Sequence, residues 1–294
     1  MKSLLLSILM LLCAAGTAPA KVRVVAATSD LAYFVQEVGG DLLEVEAIAR
    51  PTADLHFVEV RPSYMVKMSR ADLALKVGLE MDQWMDRIID GSRNRRLTVV
   101  DCAKYIAPLE VPDFKVDARH GDLHRYGNPH YWLTPDNAKP ITDAIVEGLA
   151  RVDPENAEEY RANQAAWLGQ LNSGLAAMKD EIGALAGVEI VTFHNSWPYF
   201  NEYTGLESVA FVEPYPGVPP SPTHVKGLID QINQRGVKVI GVEPYFDRRV
   251  PEKIARETGA TVVTLYPSVG GRDAGESYLD WLRGNVEAIG EALK

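Results

Sequence analysis

Cysteine is nearly absent from this chain: Cys13 and Cys102 are the two in 294 residues. If residues 1–20 are a leader, as argued below, Cys102 alone remains. A lone thiol closes no internal disulfide and builds no cysteine-rich zinc site, so any metal must be held by histidine and carboxylate. Long apolar runs are also missing. After Leu4 to Cys13, no stretch approaches the roughly 18 uninterrupted apolar residues that a membrane span needs. Basic residues are in deficit, 30 Lys and Arg against 40 Asp and Glu, for a formal charge of -10. That balance argues against nucleic acid or an anionic membrane surface as main partner, and it is compatible with a cationic ligand. Histidine is scarce too: there are six.

The N-terminus carries Lys2, the apolar run and then small residues ending in Ala18-Pro19-Ala20, the pattern of a cleaved secretory signal peptide. Leu12 precedes Cys13 where a lipoprotein signal has a small residue, so the reading is a soluble exported protein starting at Lys21.

Beyond it, β-branched runs alternate with helical periodicity. Val22–Ala27, Leu43–Ile48, Leu73–Val77 and Leu97–Val100 read as strands, and Thr28-Ser29-Asp30 starts a helix that stops at Gly39-Gly40. A second series of strands follows at Val188–Phe193, Val209–Val212, Val237–Val242 and Thr261–Tyr266, with helices between them and a last one from about Glu276 to Leu293. Alternation of this kind predicts an α/β fold with parallel sheets flanked by helices, whose sites form at the carboxyl ends of the strands. Between the two series, Asp153-Pro154-Glu155 starts a helix whose apolar positions Trp167, Leu171, Leu175, Met178, Ile182 and Leu185 recur every three or four residues. One long helix from about Pro154 to Ala186 would reach roughly 50 Å and brace two lobes, with Gly174 and Gly183 as the places for a bend. The domain reading is therefore a leader at 1–20, a first lobe at 21–153, a connecting helix at 154–187 and a second lobe at 188–294. The lobes show no obvious sequence repeat.

Three histidines occupy comparable places. His56 lies shortly after a predicted strand, His130 follows the fourth strand of the first lobe, and His194 directly follows Val188–Phe193. His130 is also held between Pro129 and Pro135 beside Tyr131 and Trp132, which suits an imidazole that must present one nitrogen in a fixed direction, or equally a structural turn. Two of the three come from one lobe and one from the other, so a site between the lobes is implied.

Taken together, His56 with Glu59 and Pro62, Gly78-Leu79-Glu80 before Trp84, Pro129-His130-Tyr131-Trp132-Leu133, Thr192-Phe193-His194-Asn195-Ser196-Trp197 and Val242-Glu243-Pro244 resemble a family. It is that of the metal-specific solute-binding proteins of bacterial zinc and manganese ABC uptake transporters. The resemblance implies two α/β lobes joined by a long rigid helix, metal bound in the cleft, a permease in the inner membrane as partner, and a monomer in the periplasm. Carried over by position, it makes His56, His130 and His194 metal ligands. The family's fourth ligand, an Asp after the last strand, is replaced here by Tyr266 in Leu265-Tyr266-Pro267, and a neutral phenol is a poor zinc ligand. Glu243 at the end of the neighbouring strand is the first candidate for that position, with a bound water next and a histidine-orienting role for Glu243 as the alternative.

Three imidazoles favour zinc over manganese or magnesium, while copper and nickel fit the ligand type. His120 and His124 stand where relatives carry a longer His-rich loop; they read either as a short metal-capturing segment or as a solvated one. His224 after Ser221-Pro222-Thr223 belongs to a helix start. Two competing functions remain open at this point. One is a zinc hydrolase with Glu243 as general base, for which no nucleophile or specificity pocket is identifiable, and the other is a surface adhesin on the same fold. For the metal carrier, affinity should fall in acid, and the brace should restrict release to a small lobe rearrangement.

Overall fold

A computed structural model describes residues 21–114 and 124–294; the expected leader at 1–20 and His120 lie outside these. The first lobe runs β1 (Val22–Ala26), α1 (Ser29–Gly39), β2 (Leu43–Ala47), α2 (Pro62–Arg70), β3 (Leu73–Lys76), α3 (Gln83–Ser92), β4 (Thr98–Asp101) and α4 (Ala138–Val152). Its four strands are all parallel in the order β2-β1-β3-β4. The second lobe contains β5 (Glu189–Thr192), α7 (Pro198–Thr204), β6 (Glu207–Phe211), α8 (Pro222–Arg235), β7 (Val239–Val242), α9 (Arg249–Thr258), β8 (Thr261–Thr264) and α10 (Tyr278–Ala292). Its sheet is again parallel, in the order β6-β5-β7-β8. The two lobes thus share one winding without an evident sequence repeat. Among the described residues no helix is long and apolar enough to cross a membrane.

Helix α3 was not signalled by the strand-helix alternation. It forms because Trp84, Met85 and Ile88 line one face and are buried, and Asp82 just before it accepts from the backbone N–H of Val77 at 2.7 Å and of Gly78 at 3.1 Å.

The connecting helix differs from the expectation of one unbroken element. A short 3-10 turn at Pro154–Asn156 leads into α5 (Ala157–Ala177), Met178 interrupts, and α6 (Lys179–Gly183) ends three residues before Ala186. The interruption lies at Met178, whose φ of -93° and ψ of 4° leave the α region and whose N–H is shared between the carbonyls of Gly174 and Leu175. Gly174 is a contact point, not a hinge: a Cβ there would lie 2.1 Å from Leu279 Cδ2, so its smallness lets α5 approach α10.

The lobes are joined by packing as well as by chain. Phe34 of α1 meets Trp167 of α5 at 5.5 Å and Tyr278 of α10 at 5.2 Å between ring centroids. Trp132 donates its indole N–H to the Pro267 carbonyl at 2.8 Å, and the Tyr278 hydroxyl donates to the Trp132 carbonyl at 2.7 Å. One buried apolar cluster therefore runs from β1 and β3 through Trp167 and Leu171 to Ile190, Val239 and Trp281, while Val191 and Ile240, on the other face of the second sheet, belong to a separate cluster with Leu228 and Ile254.

Asp30 sits in this junction, accepting from the Val269 N–H at 2.8 Å, beside the Ser29 hydroxyl, which donates to the Val269 carbonyl at 2.9 Å. Burial pushes its carboxyl up to about 7, partly offset by the Val269 N–H and Ser268. A raised carboxyl favours the folded state when protonated, so this contribution is present in acid and is lost as pH rises through about 7. Asp30→Asn retains an acceptor for Val269 and removes the titration. Unfolding of metal-free protein by denaturant at pH 5, 6 and 7 should show the variant gaining on the wild type by about 1 kcal/mol per pH unit; a difference independent of pH would contradict the assignment.

Candidate metal centre

His56 and His130 are built by the same local device. In Asp54-Leu55-His56, the Asp54 carboxylate accepts from the His56 backbone N–H at 3.0 Å and meets its ring Nδ1 at 2.9 Å. In Asn128-Pro129-His130, the Asn128 side-chain oxygen does the same, at 3.1 Å to the backbone N–H and 2.9 Å to Nδ1. Each histidine is thus aimed by a short polar side chain two residues before it. The Asn128 amide nitrogen donates to Glu110 at 3.1 Å and to the Asn195 carbonyl at 2.8 Å, which fixes the orientation of the amide.

His194 lies two residues past the end of β5, with the Thr192 hydroxyl donating to its carbonyl at 2.9 Å. Its Nδ1 is hydrogen-bonded to Glu213, a buried carboxylate just past β6. A carboxylate and a fixed amide oxygen accept only, so all three rings carry their proton on Nδ1. All three Nε2 lone pairs are left for something else.

The three rings converge. His56, His130 and His194 each offer a ligand atom within 4.8 Å of the other two, and their ring centroids lie 5.2 to 5.5 Å apart. Nε2 of His56 is buried and has no hydrogen-bond partner among the described residues. Burial, and after it the neighbouring imidazoles of His56, His194 and His124, hold His130 well below the usual imidazole range. A neutral ring is the form that binds metal. Burial opposes ionisation of Asp54, but its contacts with His56, first among them the hydrogen bond to the ring and with it that to the backbone N–H, outweigh it and hold the carboxyl low.

Glu243 stands outside this group. Its carboxylate accepts from the Ser196 hydroxyl at 2.9 Å and the Trp197 indole N–H at 3.0 Å, and burial pushes it up to about 8, against the lowering by those two donors. The residue that orients His194 is Glu213, not Glu243. Tyr266 is anchored through its backbone: its N–H donates to the Asn285 side chain and its carbonyl accepts from Trp281 and Asn285. His224 lies in the first turn of α8, which Ser221 caps by accepting the His224 N–H at 3.2 Å, and its ring Nε2 lies 3.1 Å from the Phe211 carbonyl.

Asp54, Asn128 and Glu213 were not singled out from the sequence. The first two had a signal, an Asp or Asn two residues before the histidine in both turns; Glu213 had none, being brought in by the pairing of β5 with β6. Glu213→Gln is expected to weaken metal binding on the order of 10- to 100-fold while leaving one metal per chain. Chelator-competition titration reads this directly, and unchanged affinity would remove Glu213 from the site.

Comparison with known proteins agrees with this architecture. The family model described as the periplasmic zinc-uptake complex component A matches residues 24–292. The chain is 27% identical over 329 aligned positions to the high-affinity zinc uptake system protein ZnuA of Paracoccus denitrificans, covering 98% of each. It is 25% identical over 242 residues to the iron-binding protein YfeA of Yersinia pestis, covering 82% of this chain and 75% of that protein. A crystal structure of ZnuA superposes with a TM-score of 0.81 at 27% identity, over 93% of this chain and all of the other.

Proposed function

Because the chain belongs to the family of periplasmic A components of zinc-uptake complexes, we propose that it is the substrate-binding subunit of an ABC importer whose cargo is zinc, held by His56, His130 and His194 between the lobes. The observation that carries this reading is the convergence of three imidazoles whose Nδ1 partners, Asp54, Asn128 and Glu213, are already in place, which leaves Nε2 of each for the ion. Such a centre is oriented before the ion arrives. Imidazole nitrogen suits zinc better than manganese, which prefers oxygen donors. Relatives named for zinc and for iron show that the fold itself does not choose the metal.

The protein acts in the periplasm and hands its ion to a membrane permease. A carrier is favoured over a hydrolase by Glu243, which as general base would have to act on metal-bound water. It is instead committed to Ser196 and Trp197, outside the imidazole group. The apolar cluster shared by both lobes supports release by a local rearrangement.

Competition titration of the metal-free protein with zinc, manganese and ferrous iron tests the assignment. The expected result is one zinc per chain bound tighter than the other two. Tighter manganese would overturn it.

A further inference from the structure

Three nitrogens leave a tetrahedral ion one position short. Asp54 and Glu213 are taken by ring Nδ1 atoms, and Tyr266 offers only a neutral phenol, a poor zinc ligand. His124 is differently placed. Its ring lies 5.3 Å from that of His56, the same spacing that separates the three converging histidines from one another. Its Nε2 is buried and has no hydrogen-bond partner among the described residues. The side chain lines both the cleft on the His56 side, with Glu80 and Trp84, and the small cavity that it shares with His130 and His194.

The backbone that follows it is fixed. A turn closes from the His124 carbonyl to the Gly127 N–H at 3.3 Å, and Asn128 N–H continues to the Leu109 carbonyl at 2.8 Å. The next residue, Arg125, is clamped by Glu80, whose carboxylate accepts from the Arg125 side chain at 2.6 Å. Glu80 ends a run in which Gly78, Leu79 and Glu80 have φ of 81°, 49° and 68°, a left-handed conformation that side chains adopt only at a cost. A Cβ at Gly78 would lie 2.2 Å from the Asp101 carboxylate. The first lobe thus holds a strained turn against the segment that carries His124.

We infer that His124 supplies the fourth ligand to the cargo metal through Nε2, moving in from beside His56 to complete an all-imidazole set. This inference rests on the zinc-carrier reading. Four neutral nitrogen donors suit zinc and leave manganese without the oxygen ligand it prefers, so His124 is the residue that sets the preference between them. Glu243 Oε2 is likewise buried and without a partner among the described residues, but its Oε1 is held by Ser196 and Trp197, whereas no hydrogen bond holds the buried Nε2 of His124.

Zinc K-edge X-ray absorption of the loaded protein, with zinc and manganese titrations of wild type, His124→Ala and His124→Asp, tests this. Wild type should show a shell of four nitrogen donors. His124→Ala should show three nitrogens and one oxygen, with zinc weakened on the order of a hundredfold and manganese little changed. His124→Asp should shift the preference towards manganese, which a merely structural role would not do. An unchanged absorption spectrum and zinc affinity within twofold in His124→Ala would overturn the inference and leave the three-histidine carrier standing. Absence of zinc binding by wild type would overturn both.

Discussion

Replacing His130 by alanine is expected to lower zinc affinity on the order of a hundred- to a thousandfold. Zinc bound by four protein ligands is held by roughly 10–16 kcal/mol, so each contributes about 2.5–4 kcal/mol, which corresponds to that range. His130 is the most deeply placed of the three, and burial holds its ring well toward the neutral form. The fold should survive, because the lost ring takes its one hydrogen-bonding demand with it, and Asn128 keeps the His130 backbone N–H, Glu110 and Asn195 as partners. His224→Ala is the control: its ring is occupied at the Phe211 carbonyl, and zinc affinity should be unaltered. Chelator competition with circular dichroism on both variants decides, and His130→Ala within tenfold of wild type would refute the ligand assignment.

Two residues further on, Trp132→Ala should give the largest loss of stability. Trp132 is 2% exposed, packs 5.5 Å from the His130 ring and donates across the lobe junction to Pro267. Deleting a buried indole costs about 3–5 kcal/mol through lost burial and the cavity left behind. The Pro267 carbonyl also loses its donor. Denaturant unfolding of the metal-free variant should show this, and Trp132→Phe should restore most of the packing without the hydrogen bond. A loss below about 1 kcal/mol for the alanine variant would mean that the junction collapses freely around the gap.

Much of the architecture was legible in residue pattern. The β-branched runs became eight parallel strands, since buried parallel strands are apolar on both faces and announce themselves as runs. The three histidines were legible from their places after strands, and the structure brings their nitrogens together. What was not legible depends on tertiary contact. Met178 departs from helix geometry within an uninterrupted apolar pattern, and Gly174 is small because Leu279 is against it, a neighbour 105 positions away. Glu213 reaches His194 only through strand pairing, and Glu243, chosen because it ends a neighbouring strand, turns to Ser196 and Trp197. Position after a strand locates a residue near the cleft; it does not say which way the side chain turns.

The apolar cluster that passes through the brace has a consequence for how the molecule can be divided. By topology there are two wound sheets, each with four strands and its own helices. By energetics the partition fails. A fragment ending near Gly187 would keep Phe34 and Trp132 but lose Tyr278 and the Pro267 carbonyl that meet them, leaving apolar surface and an indole N–H in water. A fragment starting there would expose Trp197 and Trp281 in the same way. The halves are therefore mutual templates, neither of which retains its native surroundings alone, and an ion bound between them stabilises the chain as a single unit.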